Sequence, residues 1–287
     1  IMLSQDYTEF EIKRLINAYV ISAVIIAVLL FVQQYDYYGS GNERHTIKIL
    51  TNDVFDPNFL AAFLVAPGII AFSKMVYRFS LRNMIAFLAI IAGILYTSSR
   101  GAFLSAIMGI GIVILGFFKG NKNRKHMIIV AFVLLLGCFL VVEFIPNNSL
   151  IRVINFKSYY DGSNAKRLLD WKLGMMAFFK RPILGYGLQG EMSIIKKALG
   201  MSYISHNTFI AFLLQFGIAG FSIILACVLR LFRNIKRNSV LKGVLLSTMA
   251  VSVFISAEVA LAFWIPIMFV AVISVYERRS RITNGWL

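Results

Sequence analysis

The sequence predicts an all-α protein: a polytopic transmembrane helical bundle of about eight spans with one long, partly helical extracytoplasmic loop. Three observations predict it. Of the 287 residues, 59% are hydrophobic and only 15% charged, with a mean hydropathy of +0.77, which is more apolar surface than a water-soluble domain can bury. The apolar residues fall in long runs, several of them near the roughly 20 residues that cross a hydrocarbon core. Clusters of basic residues occupy every second short connection between runs, which puts them all on one side, as the positive-inside rule expects.

The first span covers residues 15–32, after a polar start that carries Lys13 and Arg14. A polar loop follows over 33–56, then spans at 57–73 and 83–97 joined by Lys74, Arg78 and Arg82. Ser98-Ser99-Arg100-Gly101 interrupts the apolar run before spans at 102–118 and 127–144, which are joined through Lys119, Lys122, Arg124 and Lys125. A polar-rich segment occupies 145–205, and the sixth span covers 206–229. After Arg230, Arg233, Lys236 and Arg237 come two spans forming a hairpin over 240–276, with Glu258 near its tip and Arg278, Arg279 and Arg281 beyond it. With about eight alternating spans, every basic cluster falls on one side, which is the cytoplasm.

The chain therefore reads as one integral membrane domain over 1–287, with 145–205 as its extracytoplasmic catalytic loop. It starts at Ile1 with a polar segment, which predicts an N-terminally truncated chain. No small-residue cleavage site follows the first span, so that span does not read as a signal peptide. The net charge of +16 belongs to the membrane topology, and no nucleic-acid partner is expected. Cys138 and Cys227 both lie in apolar runs, and His45, His126 and His206 stand far apart in sequence. Neither set gives a disulfide framework or a zinc spacing, so no metal and no cofactor is expected.

Within the outer segment, residues 165–180 place Leu168, Leu169, Trp171, Leu173, Met175, Met176, Phe178 and Phe179 among charged positions. This is the pattern of an amphipathic helix lying on the membrane surface. Residues 161–164 form the turn before it, Arg181-Pro182 ends it, and Gly185-Tyr186-Gly187 makes a tight turn after it. The segment 145–205 has nine basic residues against three acidic ones, Asp161, Asp170 and Glu191. Headgroup contact explains most of the lysines. A guanidinium grips phosphate with two parallel bonds where an ammonium offers a point charge, which singles out Arg152, Arg167 and Arg181.

Arg100 stands between two apolar runs without an acidic sequence neighbour. It either snorkels to the interface or serves an intramembrane functional site. His206, in Ser205-His206-Asn207-Thr208, is either part of an N-cap cluster or a general base with a suitable intrinsic pKa. Asp56-Pro57-Asn58 has the form of a helix start. Glu258 is either the polar tip of the last hairpin or a buried partner for an arginine.

Taken in order, Asp56-Pro57-Asn58, Ser99-Arg100-Gly101, Arg167 with Trp171, Arg181 through Gly187, His206-Asn207 and Gln215-Phe216-Gly217 resemble the O-antigen ligase and Wzy-type polymerase superfamily. The resemblance runs from about residue 52 to 229, and the final hairpin also fits it. It implies a GT-C-like membrane glycosyltransferase of the bacterial inner membrane, multi-pass, with its active site on the extracytoplasmic face. The implied donor is a glycan on undecaprenyl diphosphate and the acceptor a glycan, lipid or protein, with membrane lipids around both. The product would be O-antigen, capsule or exopolysaccharide.

By the same resemblance Arg100 and Arg167 bind the diphosphate and His206 activates the acceptor hydroxyl, so these three are the candidate catalytic residues. Arg152, Arg181, Asp56, Asn58, Asn207 and Glu258 are the candidate substrate-binding ones. No metal is implied, because the arginines neutralise the leaving diphosphate. One base and an α-linked donor lead us to expect inversion at the anomeric carbon. Ligase and polymerase share these motifs, and the expectation inclines to polymerase. A transporter or flippase for a lipid-linked saccharide would also have many spans, but it should show internal repeats or helices broken near the midplane, and the sequence displays neither.

Overall fold

The computed structural model describes residues 7–37, 44–48, 54–120, 162–235, 238–258 and 260–279. The expected span at 127–144, the first part of the outer segment with Arg152 and Asp161, and Cys138 and His126 lie outside them. The described residues form a helical polytopic membrane bundle. Its helices are α1 (Glu9–Gln33), α2 (Pro57–Tyr77), α3 (Leu81–Tyr96), α4 (Arg100–Gly120), α5 (Gly162–Lys180), α6 (Glu191–Leu199), α7 (Thr208–Asn234), α8 (Ser239–Ser252) and α9 (Leu261–Arg279). By length and composition α1, α2, α4, α7 and α9 are able to cross a membrane, while α3 and α8 are apolar but only 16 and 14 residues long.

Helix α2 is the centre of the bundle, buried along most of its length. Its small residues, among them Ala61, Ala62, Ala66 and Ala71, let neighbouring backbones close in, the usual way apolar helices pack in lipid. Helices α4 and α8 cross antiparallel with even less between them: a Cβ on Gly243 would stand 2.8 Å from the Gly109 carbonyl oxygen. One core runs through all the spanning helices, holding Phe72, Leu64, Ile94 and Phe263 fully buried.

A second, separate core joins α5, α6 and the first half of α7. Ala177 and Phe178 of α5, Ile194 and Ile195 of α6, and Ile210 and Leu214 of α7 pack into one cluster. The opposite side of α5 exposes Leu169, Met176 and Phe179, the two-sided distribution expected of a surface helix. The helix starts at Gly162, so the turn expected at 161–164 is in part the first helical turn. The first-turn N–H groups have no helical partner in any case, so Gly, Ser and Asn carry little penalty there.

Two further departures from the sequence reading concern backbone. Part of the polar loop at 33–56 pairs into a small sheet, β1 (Tyr35–Asp36) antiparallel to β2 (His45–Thr46), with an isolated bridge from Lys48 to Val54. Periodicity cannot flag strands of two residues. Helix α7 is broken at Gly217 (φ 62°, ψ −170°), although no broken helix was expected. The break is filled by the turn after α5. Ile218 N donates to Pro182 O at 2.8 Å, Tyr186 N to Leu214 O at 2.8 Å, and Gly187 N to Gln215 O at 2.8 Å. That turn, not a substrate cavity, satisfies the backbone groups the break sets free.

Candidate functional site

The spanning helices present two distinct ends. At one, α2 begins, α3 gives way to α4, α7 begins, and α8 turns back into α9. Asp56 caps α2 by accepting from Asn58 N at 2.7 Å, and Pro57 takes the first helical position, where a missing N–H is no loss. The Asn58 side-chain oxygen accepts from Ser99 Oγ at 3.1 Å. Ser98 adopts φ 55°, and this left-handed residue reverses the chain between α3 and α4. Arg100 is thereby delivered to the first turn of α4, half-buried, where the positive end of the helix adds to its own charge. Gly101 is covered by Phe254, whose ring would lie 2.7 Å from an added Cβ.

His206 occupies a turn that is held from every side. Its φ is 51°, a conformation that costs a non-glycine residue about 1–3 kcal/mol unless its surroundings enforce it. Enforcement comes from Glu191, only 5% exposed. One carboxylate oxygen accepts from Ser205 N at 2.7 Å and the other from Ser256 Oγ at 2.8 Å. Ser256 Oγ in turn accepts from Asn207 N at 3.1 Å. Thr208 Oγ1 donates to Ile255 O at 2.6 Å and accepts from Ala257 N at 2.9 Å. The residues on both sides of His206 are thus tied to α6 and to the α8–α9 turn.

The N-cap of α7 is Asn207, whose side chain accepts from Phe209 N and Ile210 N at 3.0 and 3.2 Å. His206 precedes the cap and does not serve as one. The imidazole is half-buried, and the charges acting on it are Arg167, Asp170, Asp56 and Lys166. Burial, reinforced by Arg167, holds its pKa below the usual 6.5, against the opposing pull of Asp170 and Asp56. The ring is therefore neutral at neutral pH and ready to accept a proton.

Asp170 is 1% exposed, and one of its oxygens has no hydrogen-bond partner among the described residues. It lies one turn before Gly174, which packs against Ile210 and Ser205. Burial raises its pKa, while His206, Lys166 and Arg167 pull it down. Burial likewise raises Glu191, opposed by its bonds from Ser205 and Ser256 and assisted by the charge of Glu258.

Of the candidate residues, Asp56, Asn58, Arg100, Arg167, His206, Asn207 and Glu258 gather at this end. Arg181 is exposed and stacks on Tyr186, 5.2 Å from the ring centroid. Glu258 accepts from Gln215 Nε2 at 3.4 Å, and its backbone carbonyl accepts from Trp264 Nε1 at 2.7 Å. Burial raises its pKa too. The Gln215 amide is thus one partner of its carboxylate. No three or more His, Cys, Asp or Glu side chains among the described residues are placed to hold a metal ion.

Sequence reasoning counted Glu191 and Asp170 only as charges and passed over Ser256. The available signals were an acid three residues after Arg167, and another opening a helix in a strongly basic segment.

Residues 85–225 match the model of a family described as O-antigen ligase. No curated protein matches the chain. A chain from a solved structure described as "Structural coordination of polymerization and crosslinking by a peptidoglycan synthase complex" aligns over 99% of this chain and 85% of its own, at 13% identity and a TM-score of 0.46. Similarity of shape at that level does not separate one helical membrane bundle from another.

Proposed function

We propose that this chain, whose residues 85–225 match the model of a family described as O-antigen ligase, is a glycan-transferring membrane enzyme that moves a glycan from undecaprenyl diphosphate to an acceptor hydroxyl at the extracytoplasmic face of the bacterial inner membrane. The observation that carries this reading is the His206 turn. A neutral, half-buried imidazole is fixed in a left-handed conformation within the field of Arg167, at the same end of the bundle as Arg100.

In the proposed step the acceptor oxygen attacks the anomeric carbon of the donor sugar and its proton passes to His206. The bond from that carbon to the diphosphate oxygen breaks, and undecaprenyl diphosphate leaves. Arg100 and Arg167 stabilise the charge that grows on the leaving oxygen, the largest demand of such a displacement. A single base and a leaving group on opposite faces of the sugar give inversion. Asp56 and Asp170 favour the imidazolium that forms, because both pull the pKa of His206 upward. The acceptor is a lipid-linked repeat unit in a polymerase, or a lipid core or protein in a ligase. We favour the polymerase.

His206→Asn tests the base directly. Asparagine tolerates left-handed backbone better than most residues, so the turn persists while the imidazole is lost. Transfer is expected to fall roughly 100-fold or more with lipid-linked donor still bound. Normal transfer by this variant, at equal membrane abundance, would remove His206 as the base.

A further inference from the structure

The opposite end of the bundle contains a second charged feature. There the start of α1, the end of α2 and the start of α3 enclose a cavity of about 350 Å³. Its walls carry Lys13, Lys74, Arg78 and Arg82, and no acidic side chain among the described residues lines it. Two amides brace the walls. Lys74 Nζ donates to Asn17 Oδ1 at 2.5 Å, and Asn83 Nδ2 donates to Arg78 O at 2.9 Å and to Lys74 O at 3.3 Å. Ser80 caps α3 by accepting from Asn83 N at 3.2 Å, so the positive end of α3 points at the same space. Lys13 also pairs with Glu9, on the exposed surface of α1.

The basic residues gathered around this cavity give it a positive field that an anion complements. The two guanidiniums suit the oxygens of a phosphate. The cavity's depth fits a membrane surface. It lies at the far end of α2 from Asp56, and the 21 residues of α2 make that roughly 30 Å at 1.5 Å per residue. Phe79 and Leu81 stand exposed beside it at 48% and 63%, apolar groups at the level where headgroups meet acyl chains.

We propose that this cavity binds the phosphate of an anionic phospholipid headgroup, seated between α1, α2 and α3. Basic pockets between membrane helices are suited to that chemistry. The proposal is independent of the glycan-transfer reading, because none of these residues belongs to the His206 site.

Native mass spectrometry of the detergent-purified protein, titrated with phosphatidylglycerol or phosphatidylcholine, tests it. The wild type should retain phosphatidylglycerol in preference to phosphatidylcholine. Arg78→Gln with Arg82→Gln should weaken phosphatidylglycerol binding roughly 30-fold, at about 1 kcal/mol per cation, and leave phosphatidylcholine unchanged. Both arginines are exposed, so the core is untouched. If that pair fails to fold, Lys13→Gln with Arg82→Gln, at two exposed helix starts, must show the same loss. Equal phosphatidylglycerol binding by wild type and variant overturns the site. Inorganic phosphate should not displace the lipid at matched concentration. If it does, or if it alone stabilises the protein, the ligand is a free anion and the lipid assignment is overturned.

Discussion

Glu191→Ala is expected to disable the enzyme without dissolving the bundle. The substitution leaves Ser205 N–H and Ser256 O–H without the acceptors they reach at 2.7 and 2.8 Å. A buried donor stripped of its acceptor costs about 1–3 kcal/mol, so two cost roughly 2–6 kcal/mol. That equals or exceeds the roughly 1–3 kcal/mol of strain in a left-handed non-glycine residue. The His206 turn then loses its tie to α6 and keeps only the bonds of Asn207 and Thr208 to the α8–α9 turn, so its φ of 51° is no longer fixed from the Ser205 side. A base displaced by about 1 Å loses on the order of 100-fold in rate.

Glu191→Gln separates this account from a general need for bulk at that position. Its amide oxygen can keep the bond from Ser205, and its NH₂ can donate to Ser256, so most of the activity should survive. The assay is transfer of labelled glycan by purified protein, with donor binding measured in parallel. Glu191 touches no reacting atom, so kcat should fall in Glu191→Ala while donor affinity holds. Full activity in Glu191→Ala, or equal loss in both variants, would refute the idea that this carboxylate positions His206.

Four further outcomes follow from the same geometry. Arg100→Lys and Arg167→Lys should each raise the barrier by roughly 2–4 kcal/mol despite keeping the charge, because an ammonium cannot form the paired bonds of a guanidinium; near-normal polymer from both would favour interfacial arginines. Transfer should fall on acidification with a midpoint below 6.5, since burial and Arg167 depress the pKa of His206: protonation removes the base, so activity is full above that midpoint and lost beneath it. Asp170→Asn deletes a charge that supports the imidazolium and should move the midpoint lower still; a shift upward would contradict the assignment. Cysteines placed at Asn164 and Lys196 should react with an impermeant reagent in intact cells, and labelling only after permeabilisation would invert the topology.

How much of this was legible in the sequence depended on the range of the interaction responsible. The spans follow from local composition, so α1, α2, α4, α7 and α9 emerge from apolar runs alone. Caps are also local, and Asp56-Pro57-Asn58 reads correctly as a helix start. The identity of the α7 cap did not, because Ser205, His206 and Asn207 all sit where a cap can sit. Only the backbone angle of His206 and the bonds to Asn207 separate them. The pin through Glu191 joins residues 14 and 65 positions apart, and no spacing rule reaches that far.

Two sequence motifs that look independent turn out to be halves of one structure. The turn after α5 and the break in α7 exchange backbone hydrogen bonds, and each requires a glycine in left-handed space. Gly185 has φ 68° and Gly217 φ 62°. A Cβ on Gly185 would lie 2.6 Å from Gly217 N, so the two backbones touch with no room for a side chain on either. This contact fixes the end of α5 against the first half of α7. It therefore sets the height of Arg167, some 14 residues before Arg181, relative to His206 at the start of α7. In the proposed step, a rigid joint between these motifs would let Arg167 on α5 and His206, just ahead of the α7 cap, act on one substrate. On this account Gly185→Ala should lower transfer by misplacing Arg167, although position 185 lies well away from the His206 turn.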